Sequence, residues 1–299
     1  MRKFRPASAT QIIFAQNDQL PVYMTNRRLR VLQSVAAVVI AASGALSQSA
    51  FADTVLITGS NSGIGLEFVK QYAAKGWTVI ATSRRAGVPE SLAGVIKDHK
   101  NVRVEKLDVT SADDLKALTT KLNGEPIDLL INNAGVYNDR SKCHDDDCPG
   151  DWTDQSFGQL NYALLDTVMA VNVKGPLMVS EALLPNVKAS KRKTIIAISS
   201  TNGSLTDQLA GSGAIFYRAS KAALNRAMQL VSRAEQKDGV TVVMLHPGAV
   251  VTERQAYLEG FKGMIEMPFS VTNMVATIDK LTIADTGKFL NYDGTTAPW

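Results

Sequence analysis

Short runs of apolar, largely β-branched residues alternate along the chain with longer stretches of mixed polarity. Nearly continuous apolar runs are typical of strands that a parallel sheet buries on both faces, and the spacers are long enough for crossover helices. The pattern therefore predicts a single doubly wound α/β domain over residues 53–299, with a seven-stranded, mainly parallel sheet. The predicted strands are Thr54–Thr58, Trp77–Ser83, Val102–Leu107, Ile127–Asn132, Thr194–Ser199, Thr241–His246 and Lys288–Tyr292.

The composition excludes several classes of protein. With 45% hydrophobic residues, 20% charged residues and 10 prolines, the chain can bury a large core and is neither disordered nor collagen-like. The formal net charge is +4, but residues 1–52 carry six basic side chains against Asp18 alone. The remaining 247 residues carry 26 Lys and Arg against 27 Asp and Glu. Because the basic charge lies in the N-terminal segment, we expect no nucleic-acid partner.

Residues 1–52 are typical of an N-terminal leader. From about residue 24, a basic stretch with Arg27, Arg28 and Arg30 precedes the uncharged run 31–52, which closes on Ala50-Phe51-Ala52. This order indicates a cleaved signal peptide and an exported or periplasmic protein. The apolar part is short for a spanning helix, which needs about 20 apolar residues. A membrane anchor and a cytoplasmic protein are the alternatives, and Arg27-Arg28 partly matches the twin-arginine signal of folded cargo.

The first predicted strand ends in a glycine-rich turn that opens into a helix. At such a turn the backbone can approach a pyrophosphate closely, and the helix N-terminus supplies N–H donors and a positive dipole end. Its position after the first strand of an alternating chain favours a dinucleotide site over a simple tight turn. The candidate binding residues are Gly59, Ser60, Asn61, Ser62, Gly63, Ile64 and Gly65.

The end of the second predicted strand indicates which dinucleotide is bound. NAD-dependent folds place an acidic residue there to bind the ribose 2′-hydroxyl, whereas this chain has Arg84 and Arg85 and no carboxylate. Two guanidinium groups suit a 2′-phosphate through forked, charge-assisted hydrogen bonds. The sequence therefore predicts NADP(H) as the cofactor, with a solvated arginine pair as the alternative interpretation.

Tyr217 and Lys221 form a candidate catalytic pair. They are four residues apart and would lie one above the other on a helix face. A tyrosine hydroxyl has a reference pKa of about 10, but a neighbouring ammonium and a cationic nicotinamide favour the phenolate. Such a pair can exchange protons with a substrate oxygen, although the spacing alone is more typical of a surface pair.

Five further motifs make the chain resemble the short-chain dehydrogenase/reductase family. They are the turn 59–65, Asn132-Asn133-Ala134-Gly135 after the fourth strand, Asn172 in a helix, Ser199-Ser200 after the fifth strand and His246-Pro247-Gly248 after the sixth. The resemblance covers residues 53–299 and implies a Rossmann-type fold and an NADP(H)-dependent oxidoreductase. Within the family, the chain is similar to the C-factor and sniffer-type carbonyl reductases, through residues 217–225 and the tail 287–299.

The resemblance implies catalytic roles for four residues. Tyr217 would be the acid and base, while Lys221 would lower its pKa and hold the nicotinamide ribose. Ser200 would hydrogen-bond the substrate oxygen. Asn172 would support a water relay to Lys221, with a helix-packing amide as the alternative interpretation.

Three serines are candidates for the catalytic serine. The family's usual spacing before the tyrosine would select Ser204, and Ser199 precedes the preferred residue directly. We favour Ser200 because it is the second serine of the Ile-Ser-Ser strand end, and we interpret residues 203–213 as containing a short insertion.

The resemblance also extends the cofactor site. Asp108 would contact the adenine, residues 132–135 would line the adenosine side, and Thr252 would reach the carboxamide region of the nicotinamide. His246 is interpreted as structural, because it ends a buried strand. Beyond the turn 59–65, the implied cofactor-binding residues are Arg84, Arg85, Asp108, Val109, Asn132, Ala134, Gly135, Tyr217, Lys221, Pro247, Gly248, Val250 and Thr252.

The segment after Thr252 bears on the substrate. The resemblance implies that this segment forms a substrate lid, and its apolar side chains, such as Tyr257, Leu258 and Phe261, indicate a hydrophobic carbonyl compound or alcohol, with ordinary packing as the alternative. We expect a small-molecule carbonyl or alcohol as the partner of the site, and a homo-oligomer, dimer or tetramer. A sensor or signalling protein that binds the cofactor with little turnover is the second hypothesis, and the intact catalytic set favours the enzyme.

Cys143 and Cys148 are the only cysteines and lie in a polar loop. A short loop can bring two cysteines within bonding distance, and an oxidising compartment would preserve the bond, so we expect a disulfide. Free thiols in a cytosolic protein are one alternative, and a metal site that includes His144 is another. The spacing fits no standard zinc pattern, and no metal is expected.

Overall fold

A computed structural model of the chain describes residues 52–137, 153–206, 213–251 and 263–299. The strands are β1 Thr54–Ile57, β2 Thr78–Ser83, β3 Val102–Lys106, β4 Leu129–Asn132, β5 Thr194–Ile198, β6 Thr241–His246, β7 Val250–Val251, β8 Ile265–Glu266 and β9 Phe289–Asn291. A parallel seven-stranded sheet has the order β3-β2-β1-β4-β5-β6-β9, and β7 pairs with β8 separately. The predicted doubly wound parallel sheet is confirmed.

Helices cover both faces of the large sheet. In chain order the described residues form α1 Gly63–Ala74, α2 Glu90–Asp98, α3 Ala112–Leu122, α4 Tyr162–Met169, α5 Gly175–Ala189, α6 Ile215–Glu235 and α7 Met267–Asp279. One core cluster joins the sheet to α1, α2 and α7. A second cluster joins the opposite face to α3, α5 and α6.

Alternate residues of a strand pack on opposite faces, because successive side chains point to opposite sides of a sheet. In β1, Val55 and Ile57 contact the first cluster and Leu56 contacts the second. All three side chains are fully buried. Burial on both sides explains why the strands are continuous apolar runs in the sequence rather than alternating ones.

The order of strands reverses between β1 and β4, which are neighbours in the sheet. In sheets of this kind, ligands bind outside the carboxyl ends of the strands at the point where the order reverses. The glycine-rich turn follows β1, and the Asn-Asn-Ala-Gly segment follows β4. Two predicted cofactor motifs therefore lie side by side at this point.

Asn172 lies in a π-helical turn, Ala170–Lys174, that joins α4 to α5. The sequence predicted only that this residue is helical. Pro176, at the start of α5, explains the wider turn, because a proline ring excludes the carbonyl four residues earlier, which is that of Asn172. The π-helical turn is thus encoded by a proline just beyond it.

Some predictions fall outside the described residues. The leader, the Cys143–Cys148 pair, Thr252 and most of the apolar segment after Thr252 lie in the gaps between the described ranges or before them. Within those ranges, no helix has both the length and the hydrophobicity needed to cross a membrane.

Candidate active site

Glycine is required at two positions of the turn after β1. Gly59 has a φ of +66°, and a Cβ there would lie 2.9 Å from Cα of Ala134. A Cβ on Gly65 would lie 2.3 Å from the carbonyl oxygen of Gly59. Gly63, with a φ of +55°, begins α1. The turn therefore packs directly on itself and on the segment that follows β4.

Asn133 holds these two segments together and was not singled out by the sequence analysis. Its Nδ2 donates to the carbonyl oxygens of Thr58 at 2.9 Å and Gly59 at 3.1 Å. The backbone N–H groups of Asn133 and Ala134 donate to Oγ1 of Thr58 at 2.9 and 3.0 Å. The Asn132 side chain donates instead to Oγ of Ser180 at 3.0 Å. The first asparagine of the motif therefore braces the sheet against α5, and the second braces the turn.

Ser60 also braces the turn from inside. It is fully buried, its hydroxyl donates to the carbonyl oxygen of Ile57 at 2.7 Å, and its Oγ accepts from the Thr82 amide at 3.2 Å. Asn61 is exposed, and its carbonyl oxygen accepts from Oγ of Ser91 at 2.6 Å. These contacts fix the loop and leave its backbone to face a ligand.

The start of α1 suits an anion. Its N-cap residue, Ser62, makes no side-chain capping hydrogen bond, and the first turn, with Ile64, contains no acidic residue. The first N–H groups of a helix have no intrahelical acceptor, and the dipole makes this end positive. A pyrophosphate fits such an end.

Arg84 and Arg85 directly follow β2, at the same carboxyl edge of the sheet, and both are exposed. Exposed guanidinium groups are accessible to a phosphate, with which they can form forked, charge-assisted hydrogen bonds. The residues present at this edge therefore fit an NADP(H) molecule whose 2′-phosphate lies beyond the end of β2.

Asp108 and Val109 follow β3 and differ in their surroundings. One carboxylate oxygen of Asp108 accepts from the amide of Thr110 at 2.9 Å and from its hydroxyl at 2.7 Å. Val109 is buried, and a Cβ on Gly175 would lie 2.8 Å from its Cγ2. Asp108 is thus held in place at the expected edge, while the Val109 side chain packs against α5.

The segment after β6 is fixed against the C-terminal part of the domain. The carbonyl oxygen of Pro247 accepts from Oγ of Ser270 at 2.5 Å. Gly248 has a φ of +85°, and a Cβ there would lie 2.5 Å from Cδ1 of Ile265. Val250 is buried in β7, which pairs with β8. The predicted nicotinamide-side segment therefore has a defined path up to Val251.

Ser200, Tyr217 and Lys221 lie together at the carboxyl ends of β4 and β5. The Ser200 side chain lies within hydrogen-bonding reach of the Tyr217 side chain and lowers its pKa. The ammonium nitrogen of Lys221 lies 5.7 Å from the centroid of the Tyr217 ring and donates to the carbonyl oxygen of Ile198 at 2.9 Å. A Cβ on Gly135 would lie 3.9 Å from the same ammonium nitrogen. The structure thus brings the predicted catalytic residues next to the predicted cofactor segment.

Burial shifts the pKa values of both groups on α6. Burial raises the pKa of Tyr217 to about 12, and the hydrogen bond with Ser200 offsets only part of this shift. Burial also lowers the pKa of Lys221 to about 8. Desolvation is the largest cause of both shifts, because burial disfavours the charged form of each group. At neutral pH, Tyr217 is a phenol and Lys221 is mostly protonated.

Asn172 is fully hydrogen-bonded next to this group. Its Nδ2 donates to the carbonyl oxygen of Val136 at 2.7 Å and to Oγ of Ser220 at 3.0 Å. Its Oδ1 accepts from the Val136 amide at 2.8 Å and would lie 3.4 Å from a Cβ on Gly135. Asn172 therefore holds the segment after Gly135 against α6, which is a positioning contact.

The three candidate serines have different partners. Ser199 donates to Oδ1 of Asn225 at 2.5 Å, and both residues are buried. Ser204 donates to the carbonyl oxygen of Trp299 at 2.8 Å. Ser200 is the one of the three whose side chain lies close enough to Tyr217 to lower its pKa. The geometry therefore favours Ser200, and its catalytic role stays a prediction.

His246 lies beside the loop that follows Ser200. Its Nδ1 accepts from the Thr201 amide at 3.4 Å, and its Nε2 lies 3.4 Å from Oγ1 of Thr201. These contacts agree with the structural role inferred for it. Within the described ranges, no three His, Cys, Asp or Glu side chains are grouped in a way that could hold a metal ion.

The fold and the site together define a nicotinamide-dependent oxidoreductase of the short-chain type. The family model for short chain dehydrogenase matches residues 53–262, and the chain belongs to this family. The predicted resemblance is thereby confirmed.

Several relatives show where the chain lies within the family. C-signal of Myxococcus xanthus is 35% identical over 185 residues, which are 62% of this chain and 100% of that protein. The NADPH-bound carbonyl reductase from chicken fatty liver is 32% identical with a TM-score of 0.73, over 83% of this chain and 99% of that one. The carbonyl reductase Sniffer of D. melanogaster is 28% identical with a TM-score of 0.71, over 83% and 100%. The predicted similarity to C-factor and sniffer-type proteins is confirmed.

Proposed function

We propose that this protein is an NADP(H)-dependent reductase that converts a carbonyl compound to an alcohol. The observation that carries the proposal is the group formed by Ser200, Tyr217 and Lys221, with Ser200 within hydrogen-bonding reach of Tyr217 and Lys221 over its ring, at the carboxyl edge of the sheet. A binding protein without turnover has no need of an ionisable hydroxyl at this place. The NADPH in the chicken relative supports the choice of cofactor.

The chain offers a continuous set of groups to hold NADP(H). The turn 59–65 and the start of α1 would bind the pyrophosphate, Arg84 and Arg85 the 2′-phosphate, and Asp108 with residues 132–135 the adenosine. Tyr217, Lys221 and the residues 247–250 would face the nicotinamide half. When bound, the cofactor supplies or accepts the hydride.

The chain's own chemical task is to move a proton at Oη of Tyr217. A phenol with a pKa of about 12 keeps its proton at neutral pH, so it can donate to a carbonyl oxygen that gains negative charge. Ser200, which lies within hydrogen-bonding reach of the same side chain, would donate a second hydrogen bond to that oxygen. Lys221 supplies positive charge over the ring. These properties suit Tyr217 to act as the general acid in the reduction of a carbonyl group.

An apolar substrate is supported by the side chains around Tyr217. The ring of Tyr137 meets that of Tyr217 edge-on at 6.1 Å, and Phe216 contacts the ring of Tyr162 at 5.9 Å. Phe157, in the same segment as Tyr162, is 89% exposed. Apolar and aromatic linings with a few polar groups are the usual composition of small-molecule sites. We propose a hydrophobic aldehyde or ketone as the substrate class.

The direct test measures NADPH consumption by the purified chain against a panel of aliphatic and aromatic carbonyl compounds. We expect turnover with apolar members of the panel and little with small, polar ones. Tight NADPH binding with no consumption of any member would overturn the proposal and favour a cofactor-binding sensor.

A further inference from the structure

Gln155 has a fully buried side chain that lies outside the predicted site and contacts the backbone of two residues at its edge. It ends a short 3₁₀ turn, Thr153–Gln155. Its Oε1 accepts from the backbone N–H of Tyr217 at 2.9 Å, and its Nε2 donates to the carbonyl oxygen of Tyr137. One amide group therefore joins the segment that follows the Asn-Asn-Ala-Gly motif to the first turn of the catalytic helix.

The start of α6 lacks a capping side chain of its own. Its N-cap residue is Ala214, in a left-handed conformation with a φ of +59° and no side-chain cap. The Arg218 amide donates to the carbonyl oxygen of Ala214 at 2.9 Å, so the N–H groups before it need acceptors from elsewhere. For Tyr217, that acceptor is Gln155, 62 positions earlier in the chain. A distant side chain thus performs the work of a helix cap at the residue that carries the phenol.

The same amide fixes a second aromatic ring. Tyr137 follows Gly135 and Val136, which face Lys221 and Asn172, and its ring meets the Tyr217 ring at 6.1 Å with an interplanar angle of 76°. Gln155 holds the main chain of both tyrosines. Gln155 therefore helps to set the relative placement of the two rings, together with Asn172, which holds Val136 against α6.

We propose that Gln155 is a positioning residue that sets the Tyr217 hydroxyl toward Ser200 and holds Tyr137 as the aromatic wall that the substrate meets. The inference rests on the proposed function for its consequence in catalysis, but not for the contact itself. An amide suits the position because its two partners are a backbone N–H and a backbone carbonyl, which need one acceptor and one donor. A glutamate carboxylate at this position would still accept from the Tyr217 N–H. It would, however, place an acceptor oxygen against the carbonyl oxygen of Tyr137, where the amide places a donor.

The test compares Gln155→Met, Gln155→Glu and the control Gln159→Met, which changes an exposed glutamine of the same segment. The first readout is hydrogen exchange of the Tyr217 amide, which needs neither cofactor nor substrate. We expect Gln155→Met to accelerate this exchange about tenfold or more, because the Tyr217 N–H would lose its buried hydrogen-bond acceptor. Gln155→Glu keeps the acceptor, so the Tyr217 amide should stay protected, as it should in the control.

The second readout is steady-state kinetics with NADPH and an apolar carbonyl compound. Gln155→Met should lower kcat about tenfold or more, within the range of a misplaced general acid, and leave KM for NADPH unchanged. Gln155→Glu should mainly raise KM for the carbonyl compound, because it disturbs Tyr137 alone. A lower melting temperature with unchanged kcat in Gln155→Met would reduce the residue to a structural role and overturn the proposal.

The outcomes separate this proposal from the proposed function. If Gln155→Met exposes the Tyr217 amide but the wild-type chain reduces no carbonyl compound, the positioning contact stands and the proposed function fails. If the wild-type chain is active and all variants match it in both readouts, the positioning role is wrong. Should Gln155→Met not fold, Gln155→Glu decides: unchanged KM for aromatic and aliphatic carbonyl compounds would contradict the inference.

Discussion

The Ser200 side chain lies within hydrogen-bonding reach of the Tyr217 side chain, across the space between the end of β5 and the first turn of α6. Ser204 lies four residues further along and donates to the carbonyl oxygen of Trp299. We therefore expect Ser200→Ala to lower kcat about 100-fold, the lower end for loss of a donor to a developing oxyanion. Ser204→Ala should keep kcat near the wild-type value. Steady-state kinetics of the two variants check this.

The reverse order of the two effects would select Ser204 as the catalytic serine and contradict the geometry. Ser199→Ala is a third comparison, since its hydroxyl binds Asn225 inside the domain. That variant should lose stability with a much smaller effect on kcat than Ser200→Ala, which thermal unfolding and kinetics can separate.

Tyr217→Phe removes the hydroxyl and keeps the ring. We expect kcat to fall by well over 100-fold, because the proton donor is lost, while NADPH binding and the melting temperature stay close to wild type. Fluorescence titration with NADPH and single-turnover kinetics measure these quantities. Tyr162→Phe, at an exposed tyrosine nearby, is the matched control. Near-normal turnover of Tyr217→Phe would place the proton donor elsewhere.

Arg84→Ala/Arg85→Ala tests the choice of cofactor. Loss of the charge-assisted hydrogen bonds to a 2′-phosphate should raise KM for NADPH about tenfold or more and leave KM for NADH nearly unchanged, because NADH lacks that phosphate. The control Arg226→Ala/Arg233→Ala removes the same charge from exposed positions of α6. Equal effects on KM for both cofactors would show that the arginines do not bind the 2′-phosphate.

Gly65→Ala tests how closely the turn is packed. The added Cβ would lie 2.3 Å from the carbonyl oxygen of Gly59 and 2.5 Å from Nδ2 of Asn133, so we expect weaker NADPH binding and a lower free energy of unfolding. Gly94→Ala is the control, because a Cβ there meets nothing within 4 Å. In α2 that change should stabilise the protein by about 0.5–1 kcal/mol. Chemical denaturation and NADPH titration would show whether the two substitutions differ as expected.

The buried Lys221 predicts a pH dependence of stability. Its pKa in the folded protein, about 8, lies below its ordinary value of 10.5, so between these values the unfolded chain binds more protons and stability rises with pH. Relative to Lys221→Met, the free energy of unfolding of the wild type should increase by roughly 2 kcal/mol from about pH 7 to about pH 10. Denaturation of both proteins at each pH measures it. Tyr217 titrates in both proteins, and its contribution cancels to a first approximation.

A constant difference between the wild type and Lys221→Met across this range would mean that the ammonium is not held at a lowered pKa. The comparison uses the change in the free energy of unfolding with pH, and not the difference between the two proteins at a single pH. Loss of the hydrogen bond from Lys221 to the Ile198 carbonyl changes the free energy of unfolding by the same amount at each pH, so it does not affect the pH dependence.

The sequence predicted the sheet well because its strands are buried on both faces. Each of the seven predicted apolar runs corresponds to one strand of the large sheet, with ends that differ by two residues at most. The pair β7–β8 was not predicted, since two-residue strands such as Val250–Val251 carry no periodicity. The family and its similarity to C-factor and sniffer-type proteins followed from short motifs at strand ends.

The contacts that hold the site were harder to predict. Gln155 and Asn225 contact the catalytic segments across long distances in the chain, and a lone buried amide has no sequence signal beyond its residue type. Asn133 lay within a recognised motif, but the sequence could not show which of two adjacent asparagines points to the turn. The predictions on export, oligomeric state and the cysteine pair stay predictions.

Because of the π-helical turn at Ala170–Lys174, the segment that carries Asn172 should tolerate a change of residue type better than a change in the number of its residues. Each residue of an α-helix advances the chain by about 100° around its axis, since a turn takes 3.6 residues. A π-helical turn holds one residue more than an α-helical turn, so removal of one residue from it would close the segment into a continuous α-helix and move Asn172 away from its contacts with Val136 and Ser220. A single-residue deletion here should thus be more damaging than any single substitution at its exposed positions.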